Sequence, residues 1–152
     1  MSETECGFEG APGGASGSDL LVTLGPTLQV DIGFDPAWKL GVGTNPTPAI
    51  KDVDALVDTG AAVSCIDDML AVQLGLPCHD KQPLAGVGGQ HMANMYIAQI
   101  QVPSLQLTIY GTFAGVHLAA GGQVHRALLG RTFLRAFTMV YEGKTGAVKI
   151  TS

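Results

Sequence analysis

Charge is scarce in this chain of 152 residues: Asp, Glu, Lys and Arg together make up 14%, with 8 basic against 13 acidic residues. A formal net charge of -5 offers nothing to a phosphate backbone, so nucleic-acid binding is disfavoured. Set against 46% hydrophobic residues, the low charge suits a compact fold with some surface buried against a partner. Cysteine is also sparse. Cys6, Cys65 and Cys78 cannot all pair within one chain, and no Cys-x-x-Cys occurs, so reduced thiols in a cytoplasmic-type compartment are expected. Cys65 lies in the apolar run Ala61 to Ile66 and reads as a small core residue rather than a nucleophile. No stretch approaches 18 apolar residues, and no basic segment leads into an apolar one, so a soluble chain without a membrane segment is expected. His79, His91, His117 and His125 lack ligand spacing, with Cys78-His79 the only adjacent pair of soft donors, so neither a metal nor a cofactor is expected. Trp38, Met92 and Met95 read as packing residues.

What is present is organised as short strands and turns. Residues 1–18 are rich in Gly, Ser, Ala and acid, a composition expected of a flexible tail, with one folded domain over 19–152. Leu28, Val30, Ile32 and Phe34 alternate with Gln29, Asp31 and Gly33, the period of a half-buried strand. Ala55 to Val57 and Ala61 to Ile66 read as strands on either side of Asp58-Thr59-Gly60. Asp67 suits the N-cap of a helix over 68–74, ended by Gly75 and Pro77. Leu84 to Gln90 reads as a glycine-rich hairpin tip, followed by a long strand from His91 to Val102 and further strands to Leu118. Ala127 to Leu129 is a buried apolar run, Arg131 to Phe137 a short helix, and Thr138 to Thr151 a final hairpin. Many short strands with two short helices predict an all-β domain, a closed barrel or sandwich.

The chemistry gathers at Asp58. A chance Asp-Thr-Gly occurs on the order of a few per cent of the time in a chain of this length, but here an apolar strand runs straight into the Asp and a small residue follows the Gly. Such a context delivers a carboxylate to the floor of a sheet. Gly60 lets a backbone N–H approach that carboxylate, Thr59 supplies a hydroxyl to lock the loop, and Ala61 leaves room for an extended substrate backbone. One carboxylate cannot hydrolyse a peptide alone; two aspartates sharing a proton can, and the aspartic proteases are the standard instance of that pair. No second Asp-Thr-Gly or Asp-Ser-Gly occurs in the chain, so the partner carboxylate has to come from a second copy across a two-fold axis.

Three elements in order now resemble the retropepsins, the single-domain aspartic proteases of retroviruses and their cellular and bacterial relatives. Ala55-Leu56-Val57-Asp58-Thr59-Gly60-Ala61 resembles their catalytic strand and loop, Gly86-Val87-Gly88-Gly89 the tip of their flap, and Ala127 to Leu134 the apolar-apolar-Gly segment that opens the C-terminal helix. The resemblance covers Leu28 to the C-terminus. It implies a homodimeric aspartic endopeptidase acting without cofactor on an extended peptide, with Asp58 as catalytic acid/base and Thr59 bracing the two loops. It further implies that Gly60, Ala61, Ala62, Gly86, Val87, Gly88 and Gly89 contact substrate, and that Ala147 to Thr151 pair between subunits. One position departs: retroviral members usually carry an acid where this chain has Ala62, which leaves Arg131 without its expected partner unless Asp67 or another acid substitutes.

Blander readings stand beside these. Asp58 could be a turn aspartate, the Gly86–Gly89 cluster an ordinary hairpin turn, and Arg131 a surface charge on its helix. At the level of the whole chain, the rival is an interaction or dimerisation module that keeps the fold without proteolysis.

Overall fold

The computed structural model describes residues 2–41, 43–86 and 88–152. Ten strands and three short α-helices follow one another along the described chain. They are β1 (Glu3–Glu5), α1 (Gly17–Leu24), β2 (Thr27–Gly33), β3 (Ile50–Val57), β4 (Cys65–Asp67) and α2 (Asp68–Gln73), then β5 (Cys78–Gly86), β6 (Gly89–Val102), β7 (Leu107–Val116) and β8 (Ala127–Leu129), and finally α3 (Arg131–Leu134), β9 (Thr138–Glu142) and β10 (Ala147–Thr151).

Seven strands form one sheet in the order β2-β3-β8-β4-β7-β6-β5, and an added pairing of β2 with β6 joins its ends into a closed barrel. β5 stays outside the ring as a hairpin arm on β6. Closure removes the free edges that an open sheet would leave. The alternation read in β2 is real: Leu28, Val30 and Ile32 point inward and are buried with Ile66, Ile100, Val102 and Leu129 in the main core. A second sheet, β1-β10-β9, stacks Val148 and Ile150 onto that core.

The mostly-β expectation holds, with corrections at particular places. Residues 1–18 are not a tail throughout. β1 pairs with β10 at Glu3↔Thr151, Thr4↔Ile150 and Glu5↔Lys149, and Cys6 is buried in the core. Two of the glycines there serve close approach: a Cβ on Gly7 would sit 2.2 Å from the Gly146 carbonyl oxygen, and one on Gly17 2.4 Å from that of Phe8. Ser16 then caps α1, its hydroxyl accepting from the Asp19 N–H at 3.0 Å, so a third helix adds to the two expected. Ala61 to Ser64 are loop, not strand, and β4 begins only at Cys65. α3 is shorter than expected, ending at Leu134. Asp67 caps α2 as anticipated, its carboxylate accepting from the Leu70 N–H. The terminal strand β10 has β1 on one side and β9 on the other, so the expected intersubunit role of Ala147 to Thr151 finds no open edge.

Candidate active site

β3 and β8 run parallel, pairing Ala55 with Ala127, Leu56 with Leu128 and Val57 with Leu129, and the chain leaves β3 directly into Asp58. The Asp58 N–H donates to the Leu129 carbonyl at 2.9 Å, so the last bond of the strand pair fixes the root of the turn. Its carboxylate Oδ1 accepts from the Gly60 N–H at 2.8 Å. That bond aims the carboxylate. Asp58 is half-buried while Thr59 and Gly60 are exposed, so the turn presents a braced carboxylate at an open face.

β8 and α3 hold the turn from below. A Cβ on Gly130 would lie 2.6 Å from the Val63 carbonyl oxygen and 2.8 Å from that of Ala61, so only glycine lets this backbone pass under the loop. From there the Arg131 N–H donates to the Ala61 carbonyl at 2.8 Å and the Thr132 N–H to that of Ala62 at 3.1 Å. The Gly130 N–H donates to the Ser64 hydroxyl at 3.1 Å. This threading explains why Ala61 to Ser64 are loop: their carbonyls and the Ser64 hydroxyl serve β8 and α3 rather than a strand ladder.

Arg131 resolves the departure at Ala62. Its guanidinium donates to the Thr59 carbonyl at 2.8 Å, within the Asp-Thr-Gly turn itself. Asp67 is not its substitute partner. That buried carboxylate accepts from the N–H groups of Leu118 and Ala119 at 3.0 Å each and from Leu70 at 3.2 Å, tying α2 to the segment after β7. The α2 cap apart, neither the Arg131 bond to Thr59 nor the Asp67 bonds to Leu118 and Ala119 could be read from the sequence, because they depend on which loops β8 and β7 bring alongside.

β5 and β6 form a projecting hairpin with Gly86 opposite Gly89. Gly86, Gly88 and Gly89 are exposed, and a Cβ on any of them would meet nothing within 4 Å. Gly89 has φ 99°, which explains a glycine at that corner. Val87 lies outside the described residues. Among the described residues no hydrogen bond joins this tip to the Asp58 turn. The two are linked lower down by a small apolar cluster: Leu84, Ala93 and Met95 of the hairpin pack with Cys65, Ala114, Val116 and Leu128. Cys65 as a core residue, Met95 as a packing residue and Leu128 in a buried run were each legible in the sequence, but their meeting with Leu84, Ala93, Ala114 and Val116 was not.

Burial, with the Asp58 carboxylate adding to it, pushes the Cys65 thiol up to about 11, so it stays protonated beside the turn. Among the described residues no group of three His, Cys, Asp or Glu is gathered as a metal site. The arrangement can therefore place one carboxylate, braced by a backbone N–H, at a face open to a second group.

A family model described as "gag-polyprotein putative aspartyl protease" matches residues 49–136, the span from β3 through α3. The chain belongs to this family. Within that span lie the Asp58 turn, the β5–β6 hairpin and the Gly130 passage, the three elements that carried the retropepsin resemblance. Among solved structures the chain is similar to EIAV protease complexed with the inhibitor HBY-793, at 22% identity over 73% of this chain and 86% of that one, with a TM-score of 0.44. A search of curated proteins gives no match. No helix among the described residues is long and apolar enough to cross a membrane.

Proposed function

We propose that this aspartyl protease family member is a homodimeric endopeptidase whose site is closed by two copies of Asp58. A water held between the carboxylates attacks the scissile carbonyl. One carboxylate takes the water's proton while the other donates a proton to the carbonyl oxygen. The substrate lies extended across the turn, with Gly60 and Ala61 along its backbone and Gly86, Val87, Gly88 and Gly89 closing over it as a flap. Ala62 offers no side-chain acceptor to that backbone, so the flap amides carry more of the main-chain recognition. Thr59 braces one turn against the other.

What carries this reading is the Asp58 turn: braced by Gly60, open at its face, and present once in the sequence. One turn per chain requires two chains per site.

The test is cleavage of an unstructured protein at mildly acid pH by wild type and by Asp58→Asn. Cleavage should vanish in the variant while the dimer persists. Undiminished cleavage by the variant would remove Asp58 from the mechanism. A wild-type dimer that cleaves nothing would favour the interaction module that keeps the fold alone.

A further inference from the structure

We infer that the outer face of β7 and the segment joining β2 to β3 form a groove that docks the substrate chain beyond the cleft; this rests on the paired-Asp58 reading. The occupant is an extended stretch of the same polypeptide, carrying apolar side chains and an acidic one. β2 and β3 already pair at Ile32↔Ile50, and such a hairpin closes with about two to five residues. Here residues 34–49 intervene, and among those described none belongs to a helix or strand. Ordered irregular connections of that length in a compact domain commonly carry binding.

The barrel holds this loop in one arrangement. The Gln99 amide of β6 grips Asp35 from both sides, accepting from its N–H at 2.7 Å and donating to its carbonyl at 3.0 Å. Gln101 donates to the Pro46 carbonyl at 2.8 Å, and the Asp35 carboxylate accepts from the N–H groups of Ala37 and Thr47. The Trp38 indole N–H donates to the Thr44 carbonyl at 2.6 Å. Its ring meets Tyr110 of β7 edge-on, with centroids 5.6 Å apart. A loop fixed in this way is ordered by folding itself, so a ligand meets a prepared surface.

That surface is apolar and continuous with the Asp58 turn. Phe34, Leu40 and Tyr110 are 37%, 67% and 53% exposed and rim a hollow of about 330 Å³ between the loop and β6–β7. A second hollow of about 240 Å³ meets it at Tyr110 and runs to Val63, Ser64 and Thr132. Those residues flank the turn: the Thr132 N–H donates to the Ala62 carbonyl, and the Ser64 hydroxyl accepts from the Gly130 N–H. A substrate strand lying along Gly60, Ala61 and Ala62 meets Val63 next and continues over Tyr110 toward Leu40. Scattered surface hydrophobics need no explanation, but a joined run of them marks a contact surface. β7 has β4 on one side and β6 on the other, so the occupant is read through its side chains and adds no strand. Lys39 is the only charged residue among the described ones lining either hollow, so charge complementarity places an acidic side chain there.

Casein, an unstructured acidic protein, and a short peptide spanning one of its cleavage sites test the groove side by side. Wild type should cut casein with a KM about tenfold below that for the peptide, at similar kcat. Tyr110→Ser combined with Leu40→Ser should raise the casein KM to the peptide's, leaving kcat and the peptide KM unchanged. Lys39→Glu is the second probe. It should raise the casein KM severalfold, more at low salt than at high, and again spare the peptide. If the double variant does not fold, Lys39→Glu decides by the same readouts. Equal KM values for casein and peptide in wild type, or variants that keep casein's advantage, overturn the groove while the paired-Asp58 reading stands. Wild type that cuts neither substrate overturns that reading and the groove with it.

Discussion

Gly130→Ala is the substitution that most sharply separates positioning of the Asp58 turn from mere stability. The backbone at Gly130 has φ −87°, which any residue accepts, so no conformational strain is introduced. The entire effect is contact. The new Cβ would stand 2.6 Å from the Val63 oxygen, where ordinary contact begins at 3.4 Å, and 2.8 Å from the Ala61 oxygen. Both obstacles are backbone, so no side chain can rotate away, and the loop from Ala61 to Val63 has to move by roughly 0.8 Å. Such overpacking costs about 1–3 kcal/mol, which a domain stable by about 5–15 kcal/mol survives. Thermal unfolding should shift by about 2–4 °C for each kcal/mol lost. The Asp58 carboxylate, three residues before the displaced loop, should lose alignment, and a misplacement near 1 Å costs on the order of a hundredfold in rate. The assay is peptide cleavage under saturating substrate, with circular dichroism as a check on folding. A variant that loses Tm yet keeps full kcat would refute the claim that Gly130 sets the turn.

Three further outcomes follow from other contacts. Arg131→Ala removes the bond to the Thr59 carbonyl, worth about 0.5–1.5 kcal/mol, so kcat should fall about two- to tenfold with little change in Tm; unchanged kcat would make Arg131 a solvated charge. Asp67→Ala strands the N–H groups of Leu70 and Ala119 at about 1–3 kcal/mol each, while Leu118 keeps its bond to the Val116 carbonyl, so urea unfolding should show a loss of at least about 2 kcal/mol, and a loss under about 1 would contradict the assigned bonds. His125 is held below its ordinary 6.5 by burial, with nearby Asp54 acting in the opposite sense. The unfolded chain therefore takes up the proton first as pH falls, so stability is complete above 6.5 and declines as pH drops through 6.5 toward the folded value. His125→Gln should flatten that decline in urea midpoints taken on either side of 6.5, and an unchanged pH dependence would assign it to other groups.

Much of this was legible because local chemistry and tertiary structure agree. The alternation of Leu28, Val30 and Ile32, the Asp67 cap and the Asp58 turn each follow from spacing, and each is where the sequence places it. The misses share one cause: contact between residues distant in sequence. Gly7 looked like part of a flexible tail because nothing local shows Gly146 behind it. Ala61 to Ser64 looked like a strand because their apolar character is local, while the passage of Gly130 beneath them is not. α1 was the avoidable miss, since Ser16 followed three residues later by Asp19 and an apolar run is a capping signal. Arg131 looked unpartnered because a partner was sought among acids, whereas it takes a carbonyl.

The central claim is that each active site contains one Asp58 from each of two chains, and subunit mixing tests it most directly. Wild type and Asp58→Asn are mixed in varying ratio at fixed total concentration, allowed to exchange, and assayed for cleavage. A shared site makes mixed dimers inactive, so activity should follow the square of the wild-type fraction and fall to about a quarter in an equal mixture. Activity that falls in simple proportion, to about a half, would mean that each chain carries a complete site, and would contradict the claim.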